Sequence, residues 1–428
     1  MEQVNKTDAS TQAKWLLLFF ISSVFLLTGV LIDPLPEVLA GFWRIQISPS
    51  VLTTDYLVVG GDGATLWNSA VVILVLGFIL RITKVKLSGF LLAVIILVSG
   101  FSFFGTDLVN SSPIMLGTML YARTKQMNFG EVAGFAFLGS ALGPLVSSVA
   151  LLFDFPLWFS IPAALAIGIA IGFIVPILAP WASDFHKGFS LYNVGFVSGM
   201  IGMIWIALFR MFGMHIKPAD ILSQENHRSI ELMLIVVFST MLIYGFVLNG
   251  KKLAHYSELL EDNGRFSPDF VKHYGVGITI VNMGIMGLVA IVYVELIGGS
   301  FNGPVIGGVL SVAGFAAIGK HPINSVPIML GVYLTSLISP DLNPSDTSQI
   351  ATALFGMALA PIAGEFGVVA GILTGFLHTA LVTQVLPTHS GVNLHNNGFS
   401  SGFVAFFLVP ILIFFRRKYW HLYWKSKI

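Results

Sequence analysis

The sequence of 428 residues contains no cysteine, and only 10% of its residues are charged. A chain without cysteine forms no disulfide, thiolate nucleophile, iron–sulfur cluster or cysteine-ligated zinc site. Soluble domains carry about 25% charged residues, so the low charge excludes an ordinary soluble protein. The net charge of +1 leaves no excess of basic residues, which argues against nucleic acid as a partner.

Enzyme signatures are missing as well. The sequence has no HExxH zinc motif, Walker A loop or Rossmann glycine pattern, and its GxSxG match, GFSSG at 398–402, falls within the apolar segment 391–415 rather than at a strand-to-helix elbow. Its histidines are scattered, and His389 and His395 come closest to a metal-ligand pair. We therefore predict a protein that is not an enzyme and that uses neither a metal nor a cofactor.

Hydrophobic residues make up 55% of the sequence, and apolar runs of membrane-spanning length recur from end to end. This pattern predicts an all-α, polytopic transmembrane helix bundle in a lipid bilayer. The first apolar run, residues 15–32, could be mistaken for a signal peptide. We interpret it as a true span because residues 230–248 occupy the corresponding place later in the chain. The expected location is the bacterial cytoplasmic membrane, with several passes.

Two motifs each occur twice. NSSPIMLG at 110–117 matches NSVPIMLG at 324–331, and the same shift of 214 residues pairs Asn68 with Asn282. GFSLYNVGFVSG at 188–199 matches GVNLHNNGFSSG at 391–402 with a shift of 203. These matches predict two homologous repeats, residues 1–229 and 230–428, with a polar cytoplasmic loop at about 251–273. The seven apolar segments expected in each repeat are 15–34, 63–81, 88–104, 106–122, 130–153, 156–180 and 188–212, then 230–250, 274–297, 303–319, 320–338, 350–369, 371–387 and 391–415.

Seven crossings per repeat is an odd number, so the second repeat would be inverted relative to the first. With a cytoplasmic N-terminus, four of the 22 Lys and Arg residues fall outside the inner loops and termini: Arg44, Arg210, Lys217 and Arg228. Both termini are then predicted to be cytoplasmic. If the NSxPIMLG segments are instead short re-entrant helices, we expect six spans per half and parallel repeats. We favour the inverted arrangement.

Polar and helix-disturbing residues inside apolar segments indicate a solute path, because lipid cannot satisfy a broken backbone. The alternative for asparagine is hydrogen bonding between packed helices, which we favour for Asn68 and Asn282. The predicted substrate-binding residues are Asn110, Ser111, Pro113, Asn193, Asn324, Ser325, Pro327 and Asn396.

The second repeat has titratable residues that the first repeat lacks. Glu365 corresponds to Ser148 and His378 to Ile161, and such groups within spans are candidates for proton or sodium coupling. The alternative is that Glu365 pairs with an interior donor or lies near an interface. Lys320, just before the second NSxPIMLG motif, would suit an anionic solute, or it is simply an inner-loop charge.

The NSxPIMLG and GxxLxNxGFxSG motifs resemble those of an uncharacterised family of bacterial integral membrane proteins, domain of unknown function 1576. A fainter similarity is to urea transporters, whose two inverted halves each carry an Asn-Pro motif and, later, a Gly-x-x-Gly-Tyr-Asn stretch. Here Ser-Ser or Ser-Val separates the asparagine from the proline. This second resemblance implies a small neutral solute.

The sequence thus predicts a multi-pass transporter of a small polar solute or anion, with its site between the two repeats near the bilayer midplane. The alternatives are a passive, urea-transporter-like channel for a small neutral solute, and a membrane protein without transport activity. The sequence leaves open whether the protein forms a homo-oligomer.

Overall fold

The computed structural model describes residues 2–219, 221–266 and 268–425. Within these ranges the regular structure is helical, and the one β contact is an isolated bridge between Thr54 and Ile221. Ten helical segments in the described chain are long and apolar enough to cross a membrane. The chain is therefore a multi-pass, all-helical membrane protein, as predicted.

The helices follow the same order in both repeats. Those of the first repeat are α1 Glu2–Ile32, α2 Leu35–Gln46, α3 Tyr56–Gly60, α4 Asp62–Ile82, α5 Gly89–Phe101, α6 Leu108–Thr124, α7 Phe129–Gly139, a 3-10 turn Ser140–Leu142, α8 Gly143–Leu151, α9 Leu157–Phe185 and α10 Asn193–Met211. Those of the second are α11 Arg228–Leu248, α12 Tyr256–Leu260, α13 Phe270–Tyr274, α14 Val276–Leu296, α15 Gly303–Phe315, α16 Pro322–Ile338, α17 Thr347–Gly356, a 3-10 turn Met357–Leu359, α18 Ala360–Phe366, α19 Val368–His389 and α20 Asn396–Lys425. The predicted boundary at 229/230 lies at the start of α11.

Each repeat crosses the membrane five times. The crossing segments are α1, α4, α7 with α8, α9 and α10, and their equivalents α11, α14, α17 with α18, α19 and α20. The chain therefore begins and ends on the same side of the bundle, which we call the terminal face. The other side, the opposite face, holds the end of α14 and the start of α11, where Glu295 and Arg228 form an ion pair at 2.8 Å.

The segments that precede and contain the NSxPIMLG motif do not cross. Helix α5 has 13 residues and is about 20 Å long, whereas the hydrocarbon core is about 30 Å thick. At the start of α7, Gly130 and Gly134 pack against Val85 and Phe90 at the start of α5. Because α7 follows α6 after a short turn, α6 must return to the face from which α5 entered. Helices α5 and α6 form a re-entrant hairpin, and their equivalents α15 and α16 form a second.

This arrangement corrects two predictions. Seven crossings per repeat is wrong, because the two hairpin helices enter and leave together. The expectation that re-entrant segments would make the repeats parallel is also wrong, because five crossings is still an odd number.

The repeats are inverted, as their equivalent hairpin helices show. Gly100 on α5 packs against Gly307 on α15, and Ala93 packs against Gly314. The residue numbers run in opposite directions along the two helices, so α5 and α15 are antiparallel. Close backbone approach at these glycines lets the two hairpins, which enter from opposite faces, lie side by side in the centre.

Asparagines on the neighbouring spans bind the hairpin tips. Asn68 Nδ2 on α4 donates to the carbonyls of Ser102 and Thr106, at 2.9 and 3.0 Å. Asn282 Nδ2 on α14 donates to the carbonyls of Ala316 and Lys320, both at 2.8 Å. A turn inside the membrane needs such partners because lipid offers none. The packing role expected for this pair is confirmed.

A short helix from the same repeat covers each hairpin tip. The N–H of Tyr56, which begins α3, donates to the carbonyl of Phe103 at 3.0 Å. The N–H of Phe270, which begins α13, makes the equivalent bond to Ala317 at 3.0 Å. The predicted polar loop at 251–273 therefore contains two short helices, α12 and α13, that pack over the second hairpin.

The residues just before these short helices link the two repeats. Asp55 Oδ2 accepts a hydrogen bond at 3.2 Å from the N–H of Gly303, which begins α15. Asp269 Oδ2 accepts one at 3.0 Å from the N–H of Gly89, which begins α5. A carboxylate at a helix N-terminus satisfies a free N–H and complements the helix dipole. Each repeat thus fixes the base of the other repeat's hairpin.

Candidate functional site

Two cavities lie on opposite sides of the bundle. The wide cavity has a volume of about 800 Å³ and runs from Ser223 and Asp346 near the opposite face to Leu394 and Asn396. The narrow cavity has a volume of about 230 Å³ and lies on the terminal-face side, around Leu191. A volume of several hundred Å³ is typical of small-molecule sites.

The two cavities are built from equivalent residues of the two repeats. The shifts of 214, 217 and 203 residues that relate the repeated segments carry eight of the ten narrow-cavity residues onto residues that line the wide cavity. The pairs, with the narrow-cavity residue first, are Phe90 and Pro304, Phe135 and Thr352, Leu138 and Phe355, Ser183 and Leu386, Leu191 and Leu394, Asn193 and Asn396, Val194 and Asn397, and Phe266 and Leu52. The narrow cavity is thus lined mainly by the equivalents of one part of the wide cavity, and the wide cavity extends beyond this shared part with residues such as Ser223 and Asp346.

Buried aromatic rings occupy the centre, where the repeats meet. Tyr192, just before α10, and its equivalent His395, just before α20, have ring centroids 5.4 Å apart. Tyr192 packs edge-on against Phe315 at 4.8 Å, and His395 packs edge-on against Phe101 at 4.7 Å. Neither ring nitrogen of His395 has a hydrogen-bond partner in the described chain.

Phe266 lines the narrow cavity. Its ring contacts Gly188, and its N–H donates to the Gly188 carbonyl at 3.2 Å. The guanidinium of the neighbouring Arg265 lies 4.4 Å from the Phe189 ring centroid. Phe266 has a φ of 62°, a conformation unfavourable for a bulky side chain that persists only when surrounding contacts hold it. The equivalent Leu52 has a smaller side chain beside the wide cavity.

The loop that carries Phe266 is fixed by polar contacts. Tyr274 Oη donates to Asp262 Oδ2 at 2.7 Å, and His321 Nε2 lies 2.7 Å from the Asp262 carbonyl. Burial, and then the hydrogen bond to Asp262, raise the pKa of Tyr274, so its hydroxyl stays a donor. These contacts hold the loop on the second hairpin.

The predicted substrate-binding residues fall into two groups. Asn193 lines the narrow cavity and Asn396 lines the wide one. The other six lie in the hairpins and line neither cavity: Asn110, Ser111, Pro113, Asn324, Ser325 and Pro327.

The polar groups of these hairpin residues form hydrogen bonds within their own hairpins. Asn110 Nδ2 donates to the Gly105 carbonyl at 2.9 Å, and Ser111 Oγ donates to the Asp107 carbonyl. Asn324 Nδ2 makes the equivalent bond to Gly319 at 2.8 Å.

The remaining hairpin residues make packing contacts or local bonds. Ser325 Oγ donates to Asn324 Oδ1 at 2.9 Å. Pro113 and Pro327 pack against Gly168 and Gly371 on the neighbouring helices. These residues thus form contacts within and around the hairpins. That they also contact substrate stays a prediction.

The two coupling candidates lie in different environments. Glu365 is at the end of α18 and binds Arg416 at 2.6 Å and Asn263 Nδ2 at 2.9 Å. It is therefore paired, and it lies away from both cavities. His378 is fully buried on α19, and its Nε2 lies 2.9 Å from Oδ1 of Asn397, which lines the wide cavity. His378 is thus directly behind the cavity lining.

Lys320 is not in an inner loop, which corrects its predicted place. Its side chain is fully buried at the tip of the second hairpin, and its Nζ donates to Tyr192 Oη at 2.9 Å. No carboxylate of the described chain forms an ion pair with it. Tyr192 was not among the predicted site residues, although its alignment with His395 in the repeated motif could have indicated it.

The fold and the paired cavities define a multi-pass helical membrane protein with two inverted repeats and a duplicated central site. The chain belongs to the family described as "Protein of unknown function (DUF1576)", whose model matches it twice, at residues 35–211 and 248–414. Each match lies within one structural repeat, the first beginning at α2 and the second at the last residue of α11. Comparison with curated proteins and with solved structures finds no match to this chain.

Proposed function

We propose that this protein transports a small polar solute across the membrane by alternating access. The observation that carries the proposal is the pair of equivalent cavities on opposite sides of the molecule, one of about 800 Å³ and one of about 230 Å³. Inverted repeats are a common basis of alternating access, because one repeat can adopt the conformation of the other.

An exchange of conformations would interchange the two cavities. If the second repeat took the present conformation of the first, the wide cavity would contract around Asn396. If the first repeat took that of the second, the narrow cavity would widen around Asn193. Phe266, which belongs to the second repeat, would at the same time take the place beside the narrow cavity that Leu52 now has beside the wide one. The solute would then meet the other face of the membrane without a continuous pore.

The positive charges suggest which face is cytoplasmic. Of the 21 Lys and Arg residues in the described chain, four belong to segments at the opposite face and Lys320 lies in a hairpin. The other 16 belong to segments at the terminal face. Cytoplasmic loops carry an excess of Lys and Arg. The terminal face is therefore assigned to the cytoplasm of a bacterial cell, and the wide cavity opens outward.

A passive channel fits the centre of the molecule less well. Tyr192, His395, Phe101 and Phe315 pack against one another between the cavities, whereas a channel for a neutral solute needs a continuous polar path. The aromatic contacts favour a carrier over the urea-transporter-like channel.

Uptake into proteoliposomes tests the proposal, with a panel of small carboxylates, amides, amines and inorganic ions. Thr383 lines the wide cavity, so Thr383→Trp would place an indole where the solute passes. Overpacking costs about 1–3 kcal/mol, and we expect about ten- to hundredfold lower uptake. The adjacent Gln384, which does not line the cavity, provides the control Gln384→Trp. Absence of saturable uptake for every solute, or normal uptake by Thr383→Trp, would contradict transport through this cavity.

A further inference from the structure

The inner end of the wide cavity has a chemistry that its narrow counterpart lacks. We infer that this end of the cavity, formed by Asn396, Asn397 and the first turn of α20, binds the carboxylate of a small anionic solute. The inference rests on the proposed transport function and specifies its substrate class. We call these residues the cavity floor.

Buried histidines hold the two floor asparagines. His389 Nε2 lies 3.1 Å from Asn396 Oδ1, and His378 Nε2 lies 2.9 Å from Asn397 Oδ1. Both imidazoles are fully buried, whereas the asparagines are only partly buried because they border the cavity. Each amide is therefore fixed from behind by a ring that the solvent does not reach.

The direction of these hydrogen bonds determines what the cavity meets. An amide oxygen only accepts, so Nε2 of each histidine must carry the proton and donate it. For His378 this leaves Nδ1 as an acceptor, and Ser400 Oγ lies 3.2 Å away as its donor. The hydrogen bonds from Ser400 to His378 and from His378 to Asn397 thus occupy the amide oxygen of Asn397 and leave its NH2 group for the cavity.

The floor consequently offers donors. Neither Asn396 Nδ2 nor Asn397 Nδ2 is bonded to another described residue, and the asparagine oxygens are already used. The N–H groups in the first turn of a helix have no partner within the helix and carry a partial positive charge. The acidic residue of the cavity lining, Asp346, lies at the start of α17, towards the opposite face.

A carboxylate is the complement of such a floor. Its two oxygens only accept hydrogen bonds, and charge-assisted bonds to amide N–H groups are stronger than neutral ones. At the floor, a cation would face the amide NH2 groups of Asn396 and Asn397, which offer it no lone pair in place of its hydration water. The same geometry would bind a neutral carbonyl more weakly, because that group lacks the charge that the helix N-terminus favours.

The narrow cavity does not form this arrangement. Asn193 corresponds to Asn396 and His186 to His389, but Asn193 Oδ1 and His186 Nε2 have no hydrogen-bond partner in the described chain. Val194 and Ile161 replace Asn397 and His378. The contracted site thus lacks the second amide. A solute that binds at the wide cavity would be held less tightly after the exchange of conformations, which favours release at the terminal face.

Thermal unfolding of the purified protein tests this inference, with sodium acetate, propionate and succinate as probes and with acetamide and methylammonium chloride as neutral and cationic comparisons. Ligand binding to the folded state raises Tm. We expect carboxylates near saturation to raise Tm by about 5 °C, and acetamide and methylammonium to have less effect. Sodium chloride at equal ionic strength controls for salt.

Three variants locate the effect. Asn397→Asp places a like charge on the floor and should abolish the carboxylate-dependent rise in Tm, as should Asn397→Ala, which removes the amide and keeps the site neutral. Ser345→Asp adds the same charge elsewhere in the cavity lining and should retain the rise. This control separates a local contact from a general effect of charge.

Two outcomes would overturn the inference: no carboxylate raises Tm, or acetamide or methylammonium raises it as much as acetate does. If saturable uptake of a non-carboxylate solute persists in proteoliposomes in either case, transport stands and only the substrate class is wrong. Loss of saturable uptake for all solutes would instead contradict the proposed function.

Discussion

Lys320 Nζ lies 2.9 Å from Tyr192 Oη, which joins the tip of the second hairpin to the segment before the last span of the first repeat. Both side chains are nearly or fully buried, and Tyr192 Oη also contacts Ser311 Oγ on α15. The lysine amine thus has a hydroxyl partner and no carboxylate partner in the described chain. Contacts of this kind, between the two repeats, are where an exchange of conformations must act.

Removal of the Tyr192 hydroxyl should destabilise the protein through Lys320. In Tyr192→Phe the buried amine loses its partner, and an unsatisfied buried donor costs about 1–3 kcal/mol. Lys320→Met replaces the amine with an apolar side chain and should change stability less. The double variant should lose less free energy of unfolding than the sum of the losses in the two single variants. Equilibrium unfolding of the four proteins in detergent measures this coupling.

Strict additivity of the two substitutions would contradict the assigned contact. Ser336→Ala provides a control, because Ser336 is also buried but lies on α16 and bonds Gln349 rather than Tyr192 or Lys320. Its effect should add to that of Tyr192→Phe.

The hairpin tips should depend on the asparagines that bind them. Asn68→Ala leaves the carbonyls of Ser102 and Thr106 without this donor, and Asn282→Ala does the same to Ala316 and Lys320. We expect each substitution to lower the free energy of unfolding by about 1–3 kcal/mol. Leu74→Ala, at a half-exposed position on α4, should have a smaller effect. Thermal stability in detergent checks the order of the four proteins.

Equal Tm values for Asn68→Ala and the native protein would show that the hydrogen bonds of Asn68 do not stabilise the first hairpin. Because the repeats are equivalent, the two alanine variants should also resemble each other. If only Asn282→Ala lowers Tm strongly, the lost stability would be attributed to the buried Lys320 rather than to the turn of the hairpin.

The apolar segments could be predicted because runs of hydrophobic residues are visible in the sequence. The repeat could be predicted because its motifs recur at constant spacing. The predicted segments 63–81 and 274–297 begin and end within a few residues of α4 and α14. The re-entrant hairpins could not be recognised from the sequence, because α5 is as apolar as the spans and α6 is nearly as long as a short span. Their 13 and 17 residues indicate incomplete crossing only once α7 is seen beside α5.

The site was harder to predict because similar polar residues serve different purposes. Asn110 and Asn396 are both asparagines of repeated motifs, yet the first bonds within a hairpin and the second borders a cavity. Nothing local in the sequence separates them. Pairing of Asn397 with His378 joins residues on two helices, a contact that depends on how the helices pack.

The direct test of alternating access uses two equivalent residues, Leu386 in the wide cavity and Ser183 in the narrow one. The chain has no cysteine, so Leu386→Cys and Ser183→Cys each carry a unique target for a membrane-impermeant thiol reagent applied from either face of oriented proteoliposomes. Without solute, the cysteine at 386 should react from the opposite face and the cysteine at 183 should be protected. Saturation with the solute that shows saturable uptake should lower the first rate and raise the second. If solute leaves both rates unchanged, or raises both together, the two cavities do not alternate and the account is wrong.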